Sequence, residues 1–354
     1  MKNEGHQVKM IALYRGKSEF YGDIDYELIG YSNIFKFIST RLSKFKRIGI
    51  KSKFELDYGV PNIKKLKHII KQFNPNITII KSYQNVLALS VLFILKSANK
   101  KAILFLQTGK NHIKGSKILL KLYMRFLRSM NVVYFITPIT KTQRILQGLG
   151  IDNCSYIPFA VDVTDFTKNH FCGRKINIIC VGKFVSRKNQ IMLLKSIKAI
   201  RRIHDVKLNL IGEVADKTYL RDVLAYISEN NLSSIVKVKH HISYEKMINE
   251  YRSNDLFILP SYKEPASYSI VEAMANKLPV ICSSDCGTQC YVQEGKTGFI
   301  FASQNETDLT DKILLALQSR KRLIEMGVRG FEFAQKYHSL RHFYHQFRDV
   351  TENV

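Results

Sequence analysis

Short apolar runs alternate with amphipathic segments along most of the chain. In the first half, uninterrupted apolar runs predict buried strands at NITII (76–80), AILFL (102–106) and VVYFIT (132–137). Apolar residues three and four positions apart predict helices at NIKKLKHIIKQF (62–73) and KILLKLYMRFLRSM (117–130). Continuous apolar strands that alternate with helices indicate a parallel sheet covered by helices on its faces.

The second half repeats this alternation with more elements. Its predicted strands are INIICVG (176–182), VKLNLIG (206–212), IVKVK (235–239), DLFILP (255–260), PVICS (279–283) and TGFIF (297–301). Its predicted helices include NQIMLLKSIKAIRRI, DKTYLRDVLAYISENN, SYEKMINEYR and SIVEAMAN. Between the halves, YIPFAVDVTDF (156–166) contains a proline and shows neither the apolar run of a strand nor the spacing of a helix. This composition suits a linker. We therefore predict an α/β protein with two Rossmann-like, doubly wound domains that face a cleft, residues 1–160 and 161–335.

Charge is distributed unevenly between the two halves. The chain carries a net charge of +26, and residues 1–170 alone contain 28 basic and 10 acidic residues, a net charge of +18. No acidic residue occurs between Asp57 and Asp152. Such a field attracts nucleic acid, anionic lipid or phosphorylated substrates. A basic surface without a specific partner is the alternative interpretation.

The sequence predicts a soluble or peripheral cytoplasmic protein. The start of the chain, MKNEGHQVKMIALY, lacks the apolar core of a signal peptide. The longest apolar run, VLALSVLFIL (86–95), is about half the length that crosses a bilayer, so it predicts a buried helix. The six cysteines are interpreted as reduced structural thiols.

No metal site is predicted from the sequence. Cys282, Cys286 and Cys290 are spaced four apart, but the second distant pair that zinc sites usually require is missing. Asp23 and Asp25 form a D-x-D pattern, which can bind a manganese ion where it ends a buried strand. No clear apolar strand precedes this pattern, as such a site would require.

Three strand ends in the second half carry residues suited to a phosphorylated ligand. Gly182 follows one strand and precedes Lys183, Arg187 and Lys188 at a helix start, where backbone N–H groups and cations hold phosphate. A second strand ends at Gly212. The third is followed by PSYKEPASYSIVEA, which contains two glutamates eight residues apart, at positions 264 and 272.

These segments, in this order, resemble the retaining glycosyltransferases of family 4, which have the GT-B fold. Glu264 and Glu272 match the E-x7-E signature of that family, and VGKFVSRKN resembles its VGRL…KG segment. Three further segments of that family are resembled by LNLIGEV, DCGTQCYVQEGKTGFIF and IPFAVDVTDF. The resemblance covers residues 130–340 well. It also implies that residues 336–354 form a C-terminal helix that crosses back to the first domain.

The resemblance implies a nucleotide-sugar site, with a UDP-sugar as the default donor and no metal or other cofactor. Ionised carboxylates only accept hydrogen bonds, which suits the hydroxyl groups of ribose and sugar. Glu272 is expected to bind the ribose, and Glu264 to contact the donor sugar. Lys183, Lys188 and Arg187 are expected to neutralise the leaving diphosphate. The remaining donor-binding candidates are Gly182, Gly212, Pro265, Ala266, Ser267, Tyr268 and Ser269.

The acceptor is expected on the first domain, where the charge lies. Gln107 stands where many members of the family carry a histidine, and His112 follows five residues later as a second candidate. Attack on the same face as the departing phosphate requires no carboxylate base, and the segment 58–151 contains none. The basic, apolar segments RLSKFKRIGIKSKF (41–54) and KGSKILLKLYMRFLRSM (114–130) predict docking on an anionic membrane.

The predicted function is therefore transfer of a sugar to a glycan acceptor, expected to be lipid-linked, in the synthesis of a bacterial surface polysaccharide. A nucleotide-sugar epimerase on the same fold and a transferase-like subunit without activity are alternatives. A basic protein that binds nucleic acid or another anionic surface is an alternative from a different class. The chain lacks recognisable RNA-binding motifs, so nucleic acid is not the expected partner.

Overall fold

The computed structural model describes residues 5–13, 25–35, 59–81, 85–107, 117–167, 175–240 and 242–354. Two Rossmann-like domains make up this part of the chain. The strands of the first domain are β1 (Lys9–Ala12), β2 (Asp25–Leu28), β3 (Ile77–Lys81), β4 (Lys101–Phe105), β5 (Val132–Thr137) and β6 (Cys154–Tyr156). Its helices are α1 (Ile63–Phe73), α2 (Val86–Ser97), α3 (Lys117–Ser129) and α4 (Thr140–Gln147).

The second domain contains six strands and most of the remaining helices. Its strands are β7 (Ile176–Val181), β8 (Val206–Ile211), β9 (Val236–Lys239), β10 (Leu256–Leu259), β11 (Val280–Ser283) and β12 (Gly298–Phe301). Its helices are α5 (Gln190–Ile200), α6 (Lys217–Glu229), α7 (Tyr244–Arg252), α8 (Tyr268–Ala275), α9 (Glu306–Leu317) and α10 (Arg320–Tyr337). The last helix of the chain is α11 (Leu340–Glu352).

All strand pairs in the described part of the chain are parallel. One sheet has the order β3-β4-β5-β6, a second has the order β12-β11-β10-β7-β8-β9, and β1 pairs with β2 alone. The predicted fold class is confirmed, and all nine predicted strands are present. Strands β1, β2 and β6 were not predicted, because they have only three or four residues and a mixed polar sequence.

The C-terminal helix packs on the first domain. Phe347 and Val350 of α11 are buried together with Ile103, Ile136 and Ile157, which belong to β4, β5 and the segment after β6. Helix α10 precedes α11 and contacts α8 of the second domain. The last two helices therefore join the two domains through apolar burial.

The segment that connects the domains is packed rather than exposed. The Phe159 N–H donates to the Tyr291 hydroxyl at 3.1 Å, and that hydroxyl donates to the Pro138 carbonyl at 2.8 Å. His338 Nδ1 lies 2.7 Å from the Phe159 carbonyl oxygen. Burial lowers the pKa of His338 to about 4, so the ring is neutral at pH 7 and its Nδ1–H donates to that carbonyl. These bonds set the position of one domain against the other.

Candidate functional site

Loops at the carboxyl ends of four neighbouring strands form the candidate site. In the second sheet, β8 and β9 follow β7 towards one edge of the sheet, whereas β10, β11 and β12 are placed on the other side of β7, towards the opposite edge. The order in which strands are added therefore reverses between β7 and β10, although the strands are all parallel. Ligands of open α/β sheets bind outside the carboxyl ends of the strands at such a point of reversal. The loop after β7 carries all three predicted cations, and the loop after β10 carries Glu264. Helix α8, which follows that loop, carries Glu272.

Glu264 forms the centre of the site. Its Oε2 atom lies 2.5 Å from Arg187 Nη1 and 2.6 Å from Lys188 Nζ. Both cations belong to a short 3₁₀ turn after β7, whereas Glu264 follows β10. The side chain of Glu264 is 5% exposed and that of Lys188 is 10% exposed, while that of Arg187 is 40% exposed. The reversal point thus holds a buried carboxylate between two cations.

Several backbone contacts fix the turn that presents Glu264. Lys263 has a φ of 49°, and its N–H donates to Asp285 Oδ2 at 2.6 Å. The Gly287 N–H donates to the Glu264 carbonyl at 2.9 Å. A Cβ atom on Gly287 would lie 1.8 Å from the Pro265 carbonyl oxygen. Only glycine permits this approach, so the loop after β11 fixes the loop after β10.

The start of α8 is held by the same neighbouring loop. The Ser267 N–H donates to Thr288 Oγ1 at 3.1 Å, and Ser267 Oγ lies 2.7 Å from Ser269 Oγ. Ser267 is the N-cap residue, yet its hydroxyl caps no backbone N–H of the helix. Tyr268 stacks on Phe159, with ring centroids 3.8 Å apart. The first turn of α8 is therefore a fixed helix N-terminus, which favours anionic groups.

Glu272 lies one turn further along α8. Its Oε2 atom accepts a hydrogen bond of 2.7 Å from the Tyr251 hydroxyl. Burial raises the pKa of Glu272, and the bond from Tyr251 opposes that rise. Glu264 and Glu272 thus differ in their surroundings, because the first is neutralised by cations and the second is held by a neutral donor.

Lys183 stands at the edge of the site. Its Nζ lies 3.0 Å from Glu213 Oε2, and its side chain is 55% exposed. The strand ends that carry these two residues touch closely, because a Cβ on Gly212 would lie 2.0 Å from the Gly182 carbonyl oxygen. Both predicted strand-end glycines therefore sit where two backbones meet.

The structure describes only some of the candidate residues that the sequence indicated in the first domain. Gln107 follows β4 and is partly exposed, and His112 and Asp23 lie outside the described residues. Asp25 begins β2 and forms an ion pair with Lys9 at 3.2 Å. In the described part of the chain, no group of three or more His, Cys, Asp or Glu side chains has the arrangement of a metal site.

Residues far apart in sequence support the site, and they were not predicted. Glu213 holds Lys183, Tyr251 holds Glu272, and Asp285 and Thr288 hold the turn around Glu264. Phe159 stacks on Tyr268 from the junction between the domains. Each is a common polar or aromatic residue without a motif, so only the arrangement of the strands identifies it.

Comparison with known sequences finds a family match within the second domain. Residues 163–332 match the family described as Glycosyl transferases group 1, a range slightly shorter than half of the chain. Over 157 residues the chain is 30% identical to an uncharacterized glycosyltransferase of Methanocaldococcus jannaschii, which is 44% of this chain and 42% of the relative. Over 191 residues it is 23% identical to the GDP-mannose-dependent α-(1-6)-phosphatidylinositol monomannoside mannosyltransferase of Mycobacterium tuberculosis. This match covers 52% of this chain and 49% of the relative. The chain spans about half the length of these curated relatives or slightly less.

Comparison with solved structures assigns the fold of both domains. The Anabaena HepE crystal structure, in complex with UDP and glucose, aligns with a TM-score of 0.72 at 15% identity and covers 94% of this chain and 87% of HepE. A glycosyltransferase from Rickettsia africae aligns with a TM-score of 0.73 at 16% identity. The alignment covers 100% of this chain and 92% of the Rickettsia protein. The chain therefore has the GT-B fold, and its second domain is similar to the group 1 glycosyltransferase family over residues 163–332.

Proposed function

We propose that this protein transfers a sugar from a nucleotide-sugar to a glycan acceptor with retention of configuration. The observation that carries the proposal is the buried Glu264 between Arg187 and Lys188, at the reversal point of the sheet and beside the N-terminus of α8. Such a place suits a ligand that combines phosphate with sugar hydroxyls. The group 1 match over the second domain and the glycosyltransferase names of the relatives support it.

Each donor group has a matching side chain in this proposal. The diphosphate lies by the start of α8, where Lys188 and Arg187 turn from Glu264 towards it and Lys183 reaches in from the edge. The freed Glu264 carboxylate then accepts hydrogen bonds from the donor sugar. Glu272 accepts from the ribose hydroxyls. Backbone groups of residues 265–269 close over the sugar and the phosphate.

The proposed mechanism relies on fixed cations rather than a metal. As the bond between the anomeric carbon and the phosphate oxygen breaks, negative charge grows on the diphosphate, and Lys188, Arg187 and Lys183 stabilise it. The acceptor hydroxyl attacks the face that the phosphate leaves, and the departing phosphate oxygen takes its proton. This route fits a first domain without acidic residues from position 58 to 151. Gln107 remains the candidate that positions the acceptor.

A thermal-shift panel of UDP-, GDP-, ADP- and dTDP-sugars tests the donor site. At about 100 times its dissociation constant, a ligand stabilises the fold by about 2.7 kcal/mol. We expect one nucleotide to raise the melting temperature and Glu272→Ala to abolish the effect. Glu229→Ala, which removes an exposed carboxylate from α6, is the matched control and should respond as wild type does. If no nucleotide binds, the proposal fails, and the basic surface becomes the feature to explain.

The acceptor in this proposal is lipid-linked, and the protein works at the cytoplasmic face of a membrane in surface polysaccharide synthesis. Helix α3 carries the argument, because one side of it is apolar and open to solvent. Ile118 is 71% exposed, Leu119 64%, Leu122 52% and Phe126 40%. Apolar helix faces of this kind insert into the boundary between headgroups and acyl chains.

The charge of α3 complements an anionic bilayer. Lys121, Arg125 and Arg128 are exposed on the same helix, and each basic residue near an anionic surface contributes about 1 kcal/mol. No helix in the described ranges has both the length and the apolar character needed to cross a bilayer. Contact at the surface is therefore the form of membrane association that we propose.

Flotation with vesicles tests this part separately. We expect binding to vesicles of phosphatidylglycerol and phosphatidylcholine at physiological salt, and a loss of about tenfold or more in Leu119→Ser/Leu122→Ser. Ile203→Ser removes an apolar residue of the second domain that is 70% exposed, more than either leucine, and should bind as wild type does. Equal binding of the two variants, or no binding by wild type, contradicts the membrane proposal and leaves sugar transfer untouched.

A further inference from the structure

A cavity of about 360 Å³ lies between the two domains, beside Glu264. The first domain contributes the start of α4, from Ile139 to Arg144, and the second contributes residues 263–265 and the loop after β11. This volume falls within the range of small-molecule sites. The cavity is walled by both domains, so a ligand in it would contact both.

The sheet order gives the position of this cavity relative to the diphosphate. Strand β10 lies between β11 and β7, the cations of the diphosphate site follow β7, and the cavity borders the loop after β11. The cavity therefore lies on the far side of Glu264 from those cations. If the proposed function holds, this is the side from which an acceptor approaches the donor sugar.

The lining of the cavity has an excess of positive charge. Lys141, Arg144 and Lys263 are exposed, and none of their side chains has an ion-pair or hydrogen-bond partner among the described residues. The lining also contains two carboxylates. Glu264 is already neutralised by cations outside the cavity, and Asp285 accepts the backbone N–H of Lys263. Three available cations from both domains thus face one small volume.

We propose that this cavity is an acceptor subsite for a phosphate group, so that the acceptor is a phosphorylated sugar or polyol. Lys141 and Arg144 are three residues apart on α4 and therefore share one face of the helix. The Arg144 guanidinium suits two oxygens of one phosphate, and Lys141 and Lys263 add point charges. The bound phosphate would hold a neighbouring hydroxyl at the Glu264 end of the cavity. This inference rests on the proposed function and names its acceptor class.

The test measures binding of phosphate with the donor site already filled. Wild-type protein is saturated with the nucleotide found in the donor panel, and the melting temperature is then followed against inorganic phosphate, glycerol 3-phosphate and inositol 1-phosphate. Glycerol and inositol, which lack the phosphate group, serve as neutral controls. We expect the phosphates alone to stabilise the fold, and Lys141→Ala/Arg144→Ala to weaken them about tenfold or more while nucleotide binding stays unchanged.

A second double variant separates this site from the general basic charge. Lys64→Ala/Lys67→Ala removes two exposed lysines with the same spacing from α1 of the same domain. It should bind phosphate as wild type does. The subsite proposal is overturned if both double variants lose phosphate binding equally or if glycerol and inositol stabilise the fold as much as their phosphates do. It is also overturned if no phosphate stabilises the fold. In each of these outcomes a nucleotide that still stabilises the protein preserves the proposed function, whereas failure of every nucleotide refutes that function itself.

Discussion

Replacing Glu264 by glutamine tests whether the buried cluster of the candidate site is electrostatically coupled as the distances indicate. The substitution keeps the shape of the side chain and removes its charge. Lys188 Nζ, 2.6 Å away, then remains a cation on a side chain that is only 10% exposed. Arg187 is more exposed and can turn to solvent, so its contribution is small.

The expected loss of stability follows from the burial of Lys188. Removing one partner of a buried ion pair costs about 3–5 kcal/mol, because the other charge is left without compensation. The second domain has the size for which about 1 kcal/mol shifts the melting temperature by about 2–4 °C. A loss of about 3 kcal/mol should therefore lower the melting temperature of that domain by about 6–12 °C. A nucleoside diphosphate should recover part of this loss, since its phosphates supply the missing negative charge.

Chemical denaturation and thermal unfolding, with and without UDP, measure the effect. Glu213→Gln is the control, because its partner Lys183 is 55% exposed and such a pair contributes about 0–1 kcal/mol. In Glu264→Gln/Lys188→Met no charge remains buried, so most of the stability should return. If Glu264→Gln is no less stable than Glu213→Gln, the reasoning about the buried pair is wrong.

Three further substitutions test the support of the site. Gly287→Ala places a Cβ where the Pro265 carbonyl lies 1.8 Å away, so denaturation should show a loss of about 2 kcal/mol or more and titration a weaker donor affinity; unchanged values would contradict the close contact. The folded pKa of His338 is about 4, against 6.5 unfolded, so the unfolded state binds more protons between these values and stability should fall by about 3 kcal/mol as the pH drops from 6.5 to 4. His338→Gln should flatten this part of the pH profile, and an unchanged slope would exclude His338 as its cause. Lys183→Ala should change stability by less than about 1 kcal/mol yet slow transfer about tenfold or more, and equal turnover would remove Lys183 from the site.

The alternation of strands and helices was readable from the sequence because buried parallel strands need continuous apolar runs. All nine predicted strands appear, and β5 has the predicted bounds, Val132–Thr137. The order of strands β7 to β12 does not follow from these runs, but the turns at their ends were recognisable. Gly182, Gly212 and the two glutamates lie in or beside those turns, so local patterns were enough to find them.

Which of these residues contact each other depends on the folded arrangement of distant segments. Lys188 and Glu264 are 76 positions apart, and Phe159 and Tyr268 are 109 apart, so their contacts depend on the order of the strands and on the packing of the junction. The same holds for α3, whose sequence predicts a helix but not that Leu119 and Leu122 stay exposed. A local pattern fixes the period of the backbone, whereas the partner of a side chain is set by elements that are distant in sequence and meet only in the folded chain.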